Sequence, residues 1–338
     1  MDKEKFALEI FKRYGNVKRA RNCFLYTAKN VRLTDLYQED GRAILGWGGS
    51  SAFTMFKNAL GRGANGSFFT DYSYRMEKAV STLLASKRKI LFFYKKSVVL
   101  EIAKNFFSDS DDFAPAEEFS VKQKICGQTE KFSVNQKIFE QTEDLNVNQR
   151  TSAPTEDSNA NRQYPAPTQK SSAINQIFYK PWILSSDGKS INWSEKSLVV
   201  LEPPLPWSSE LYILAVKSEN PKITEILENI KSKYKDEIIS IPAPMQAAYA
   251  RSIYNLIQAL QERSEKDWFL WDSVLKNYFV RKGPYLFTKI PQNKYDDFVL
   301  HCLDLGILIN PCFEKMSIVP FGAERGILTC LKKNPFEF

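Results

Sequence analysis

The chain has 338 residues, 43% hydrophobic and 13% aromatic, which is enough apolar matter for a large core and excludes a wholly unfolded chain. A single histidine, His301, excludes a histidine-rich metal site and any repeated imidazole relay. The net charge of +8 is uneven: residues 1–107 hold 20 Lys/Arg against 9 Asp/Glu, residues 108–175 hold 7 against 11, and residues 176–338 hold 20 against 19.

The basic excess is therefore N-terminal, and its cations are scattered among apolar residues. That scatter reads as a solvated face, or one turned toward an acidic subunit. It argues against nucleic acid as a partner, and a nucleic-acid- or anion-binding face stands as the alternative. The five cysteines are odd in number and form no Cys-x-x-Cys pair, as expected of unpaired thiols in a reducing compartment. No apolar run approaches the roughly 18 residues of a membrane span, and Met1–Lys5 lacks a signal-like apolar stretch. The expected localisation is cytoplasmic, without a membrane partner.

The first expected element is a helix over 4–13, with Phe6, Ile10 and Phe11 on one face and Gly15 as its stop. Phe24–Tyr26 and Val31–Leu33 form a hairpin around Lys29–Asn30. Ser50 or Ser51 caps a helix to Leu60 that stops at Gly61, and Asp71 caps another to about Ala85. Lys89–Tyr94 is a buried strand, followed by a helix near Ser97–Phe107. Leu198–Glu202 and Leu211–Val216 are further buried strands, and two-faced burial places them in one sheet with Lys89–Tyr94. Helices follow over Ile223–Tyr234, from Pro244 through Leu260, and over Asp267–Phe279. Pro284–Thr288 is a strand, Tyr295–Leu305 a helix that includes His301, and Ile307–Ile309 and Gly326–Leu331 are strands.

Residues 108–175 interrupt this order with a stretch rich in Gln, Asn, Ser, Thr, Glu and Pro. It repeats every 13 residues: Phe119–Lys131, Phe132–Asp144, Leu145–Asp157 and a decayed Ser158–Lys170, with Thr129, Thr142, Thr155 and Thr168 in register. Too few apolar side chains per unit offset the entropy of ordering it, so a disordered insert is expected. The domain plan is then 1–107, the N-terminal segment and first part of a large domain; 108–175, the insert; 176–241, the rest of the large domain; and 242–338, a small C-terminal domain.

Few motifs carry chemistry. Gly61–Gly66 matches G-x-G-x-x-G, but it follows a helix where a dinucleotide site needs a strand, so it reads as a helix stop. His301 sits in a helical pattern and reads as structural. No metal site and no catalytic set emerges from the residues.

A family resemblance does emerge. The early hairpin, Leu33–Tyr37, and Gly41–Gly46 resemble the N-terminal segment of pyridoxal-phosphate-dependent aminotransferases of fold type I. Lys89–Lys104 is similar to their first large-domain strand and helix, and Val199–Pro203 to a strand ending in Glu-Pro. Gly283–Phe287, Phe298–Leu305, Gly306–Pro311 and Phe321–Leu331 resemble their small domain. The resemblance implies an α/β fold: an aminotransferase-like mixed sheet with flanking helices, a small α+β C-terminal lobe and the long disordered insert. It also implies a Schiff-base lysine, an acid for the pyridine nitrogen and a phosphate turn of small residues. Here the turn position holds Tyr94-Lys95-Lys96-Ser97, no Asp ends a strand between Leu198 and Ile241, and Lys217 is the one lysine ending a buried strand. Arg325 precedes the last expected strand, out of register with the family's carboxylate-binding arginine. These departures suggest a catalytically degenerate, aminotransferase-like protein that acts by binding or assembly, without cofactor, as a homodimer or with another protein. The alternatives are an active pyridoxal-phosphate enzyme and an anion-binding protein.

Overall fold

The computed structural model describes residues 1–108 and 177–338, except 65, 67, 69, 185–189, 209, 219–220 and 325. The four repeats and Arg325 lie outside the described residues.

The chain opens with α1 (Lys3–Tyr14), whose first turn is capped by the Asp2 carboxylate accepting from Lys5 N–H at 2.7 Å. It stops at Gly15, in the left-handed region at φ 71° and close against Ala28. Phe6 is buried, but Phe11, expected on the same face, is exposed. Five residues of helix rotate a side chain well past the buried stripe.

Strands β1 (Val17–Arg21), β2 (Phe24–Thr27) and β3 (Arg32–Asp35) pair antiparallel in chain order. The hairpin is as expected, and Asn30 supplies its left-handed turn residue at φ 59°. Strand β1 escaped the sequence reading because Val-Lys-Arg-Ala-Arg has no apolar alternation and is mostly exposed. Helices α2 (Ser50–Gly61) and α3 (Tyr72–Leu83) match their expected spans, but neither expected cap forms. Gly49, at φ 43°, holds the N-cap position of α2, and the Asp71 carboxylate accepts from Arg75 Nε at 2.8 Å instead of capping α3.

The central sheet joins β4 (Arg88–Phe93) before the insert to β5 (Leu198–Leu201) and β6 (Tyr212–Lys217) after it. Its order is β4-β6-β5, and β6 runs antiparallel to both neighbours. The described residues of the loop between β5 and β6 contain no helix, so no parallel crossover is available. Leu198 and Val200 point into one core with Val99, Ile102 and Phe106 of α4 (Lys96–Ser108) and Leu227 and Ile230 of α5 (Pro221–Lys233). Val199 and Leu201 point into the other, with Met76 and Val80 of α3 and Ala248 and Ile253 of α6 (Ala243–Glu262). Helices thus cover both faces, which is why these strands read as continuous apolar runs.

The C-terminal lobe holds α7 (Glu265–Phe269), α8 (Asp272–Leu275), β7 (Phe279–Lys282), β8 (Tyr285–Thr288), α9 (Tyr295–Asp304), β9 (Ile307–Leu308), β10 (Ser317–Ile318) and α10 (Thr329–Lys333). The single helix expected over Asp267–Phe279 is instead two short helices and the start of β7. Arg281 in β7 holds Asp272 in a two-pronged pair, with N···O distances of 2.6 and 2.8 Å, and this folds the chain back on itself. The strand expected over Gly326–Leu331 is a turn leading into α10. Leu328 and Leu331 are both buried, a three-residue spacing that suits a helix.

Strand β9 pairs parallel with β3, Thr34 opposite Ile307, so the four-stranded sheet β1-β2-β3-β9 is mixed and ties the two ends of the chain together. Phe6, Leu33 and Leu36 pack with Phe298, Val299 and Leu303 in the same core. The Met1 ammonium lies 2.6 Å from Asp296.

Candidate functional site

The resemblance singles out two places on the central sheet, and the strand register separates them. Lys217 closes β6 opposite Arg88, while Tyr212 pairs with Phe93, immediately before the Tyr94–Ser97 turn. Five residues of strand, about 17 Å, lie between. Lys217 N–H donates to Ser197 C=O at 2.9 Å. Lys95 is ion-paired to Glu237 at 2.8 Å, and Lys96 opens α4 with its ammonium 4.9 Å from the Phe178 ring centre. His301 faces Asn334 C=O at 3.0 Å on α9. Gly61 closes α2, and a helix, not a strand, precedes the glycines.

The Tyr94 end of the sheet gathers residues that the sequence reading passed over. Phe178 pairs parallel with Val200, and Tyr179 N–H donates to Val200 C=O at 2.8 Å. This strip delivers Lys180 to the sheet end where Glu202 follows β5. The Lys180 ammonium lies 3.4 Å from Met316 Sδ and 5.9 Å from the Tyr285 ring centre, both in the C-terminal lobe. Burial pulls Lys180 down to about 8, with the nearby Lys96 charge adding to that and Glu202 opposing it. Such an amine is partly neutral near physiological pH and is a nucleophile or base in waiting. Tyr212 is pushed up to about 12, first by burial and then by Glu202. The signal in the sequence was slight: a lysine among Phe178, Tyr179 and Trp182, followed by Pro181, just past the repeats.

The N-terminal loop after β3 closes over this region in a costly conformation. Gln38, Glu39 and Asp40 are all left-handed, at φ 46°, 49° and 58°. Each such residue costs on the order of 1 kcal/mol or more and persists only where its surroundings insist. Asp35 insists: its carboxylate accepts from Tyr37 N–H at 2.9 Å, Gln38 N–H at 2.8 Å and Trp47 Nε1 at 2.7 Å. Burial raises Asp35 to about 6, against the pull of those donors. Asp40 is fastened by Lys3, Lys315 and Asn310 Nδ2 at 2.8–2.9 Å. Burial opposes its ionisation, but the two ammonium groups outweigh that and hold its carboxyl well below the usual range. Arg42 follows, 7% exposed, with no hydrogen-bond partner for Nε among the described residues and its ion-pair contact, Glu39, at 3.9 Å. Among the described residues, no group of three His, Cys, Asp or Glu could hold a metal, and no helix is long and apolar enough to cross a membrane.

Comparison with known proteins places this geometry. No family model matches the chain. A protein of Treponema pallidum (strain Nichols), described only as "Uncharacterized protein", is 33% identical over 114 residues; the match covers 34% of this chain and 37% of that protein's length. Solved structures match far more of it. The ornithine aminotransferase of Toxoplasma gondii ME49 superposes with a TM-score of 0.56 at 9% identity, covering 99% of this chain and 96% of the other. The acetylornithine aminotransferase of Elizabethkingia anophelis gives 0.55 at 12%, covering 98% of each. The ornithine aminotransferase of Plasmodium yoelii gives 0.53 at 11%, covering 98% and 97%. The fold is that of the pyridoxal-phosphate-dependent aminotransferases.

Proposed function

We propose that this chain uses the aminotransferase fold to bind rather than to transaminate, and that it works without pyridoxal phosphate. The observation that carries this reading is the register of the central sheet. Lys217, the strand-ending lysine, and the turn expected to hold the phosphate stand at opposite ends of it. No single cofactor spans that gap while bonding both. At the turn, Lys95 is already engaged with Glu237 and Lys96 begins the helix, so their side chains stand where small residues admit close backbone approach. When bound, the cofactor would supply an electron sink for carbanion chemistry; the residues present do not fit a site for it.

One observation favours a second reading, the active enzyme. Lys180, an amine lowered to about 8, stands at the same sheet end as the Lys95–Lys96 turn. Titration of the purified protein with pyridoxal phosphate, followed near the aldimine absorbance, decides between them. The expected result is no saturable, stoichiometric aldimine in the wild type. A stoichiometric aldimine that disappears in Lys180→Ala or Lys217→Ala would overturn the binding reading and establish the enzyme.

A further inference from the structure

Helix α6 carries polar residues at Arg251, Asn255, Gln258 and Glu262. Their spacing of four, three and four puts them on one stripe. The opposite face of the helix is filled by Tyr249, Ile253 and Leu256, so the helix is fixed in rotation and the stripe is fixed with it. Arg251, Gln258 and Glu262 reach solvent and Asn255 is half-buried, so the stripe borders an open groove beside the start of α2. The stripe lines this cavity of about 420 Å³ together with Ser51 of α2 and Arg263 at the C-cap of α6. That volume falls within the roughly 300–1,000 Å³ of small-molecule sites.

The lining is polar and electropositive. Two guanidinium groups face one carboxylate, and that carboxylate, Glu262, already accepts from Gln258 Nε2 at 2.7 Å. Arg263 is held before any ligand arrives. One of its nitrogens donates to Ile44 C=O at 2.9 Å, and its guanidinium lies 3.6 Å from the Phe321 ring centre and 5.6 Å from that of Trp182. A stacked, half-buried guanidinium has lost its rotamer freedom already, so little further ordering opposes binding. Burial lowers Arg263 to about 10, and a bound anion would offset that desolvation. Asn255 Nδ2 donates to Ser51 Oγ at 2.7 Å and bridges the two helices in the middle of the cavity.

The two arginines are twelve residues apart on one helix, about 18 Å between backbones. They cannot close on the same group, so they mark the two ends of the cavity. We propose that this cavity binds an extended small molecule with an oxyanion at each end, one end on Arg263 and the other on Arg251, its polar middle along Asn255 and Gln258. The inference rests on the binding reading above and names its ligand class. The cavity uses none of the residues at the Tyr94 end of the sheet.

The test is calorimetric titration at constant ionic strength, without pyridoxal phosphate, using butyrate, glutarate, suberate, inorganic phosphate and glycerol 3-phosphate as probes. A dicarboxylate is expected to bind at least tenfold more tightly than butyrate. Arg251→Gln and Asn255→Ala should weaken it about tenfold and threefold, and Arg263→Gln should abolish it. Because Arg263→Gln also removes the bond to Ile44, the exposed Arg251 and the Asn255 variant carry the test if that protein unfolds. Preference for a phosphate probe, lost in the same variants, assigns the ends to phosphate and still supports the site. Absence of binding by every probe, or binding indifferent to Arg251→Gln and Asn255→Ala, overturns it. Aldimine formation in the separate cofactor titration would sink the binding reading without touching this result.

Discussion

Arg88 and Lys217 face each other across the first rung between β4 and β6, and Arg88 is fully buried there. Its guanidinium donates to Lys196 C=O at 2.5 Å, Trp193 C=O at 3.0 Å and Ser86 Oγ at 2.8 Å. It thereby holds the segment that enters β5. Arg88→Met should lower the unfolding free energy by about 3 kcal/mol, because carbonyls are left without donors. Arg88→Lys, which lacks the planar fork, should recover only part of that. Urea denaturation measures both, and equal stability of all three proteins would contradict this role.

Asp35 gives a pH-dependent signature. Its folded value of about 6 lies above the unfolded value near 3.9. Its contribution is therefore full below about pH 3.9 and lost as pH rises through 6. Compared with Asp35→Asn, the wild type should gain stability as pH falls from 7 to 4.5, by about 2 kcal/mol. A stability difference that stays flat over that range would refute the raised value. Trp47→Phe should cost about 1–2 kcal/mol at pH 7, since the buried carboxylate loses its indole donor.

Lys180 runs the other way. Its folded value of about 8 lies below the unfolded value near 10.4, so its contribution is full above pH 10.4 and lost as pH falls through 8. At pH 7 the charged amine is a burden. Lys180→Met should be more stable than wild type at pH 7, by about 1–3 kcal/mol, and the advantage should fade toward pH 10. Competitive acetylation with mass spectrometry should show this amine titrating near 8. Ordinary lysine behaviour there would remove Lys180 from the candidate residues.

The insert is expected to be dispensable for folding. Phe106, just before it, and Ile177, just after it, lie in one core cluster. A short linker can bridge them. Replacing residues 112–172 by a Gly/Ser linker should preserve a single cooperative thermal transition. Loss of that transition would show that the repeats are part of the folded body.

The strands of the central sheet were legible because β5 and β6 are buried on both faces. Their antiparallel order was not, since a continuous apolar run carries no direction. Helices α1, α6 and α9 were read from their apolar stripes to within two residues. The misreadings have local causes. Around Trp268–Phe279 the apolar residues are too dense to reveal where a helix breaks, and the break depends on Arg281 reaching back to Asp272. At Ile327–Leu331 the short segment Ile-Leu-Thr-Cys-Leu fits either period. The candidate residues were hardest to see. Lys180 draws its character from burial against Met316 and Tyr285, far away in sequence. The polar stripe of α6 reads as any solvated face, and only the Asn255–Ser51 bond to α2 and the position of Arg263 set it apart.

Strand β1 bounds the four-stranded sheet, and three of its five residues are Lys18, Arg19 and Arg21. An unpaired strand edge offers its backbone to any extended chain that drifts past. Here a second copy would set these cations beside their own counterparts at a strand spacing of about 5 Å. Part of the N-terminal basic excess thus has a use that needs no ligand or partner: it keeps the sheet from growing by recruitment, and with it keeps a crowded solution of this protein from seeding its own aggregates.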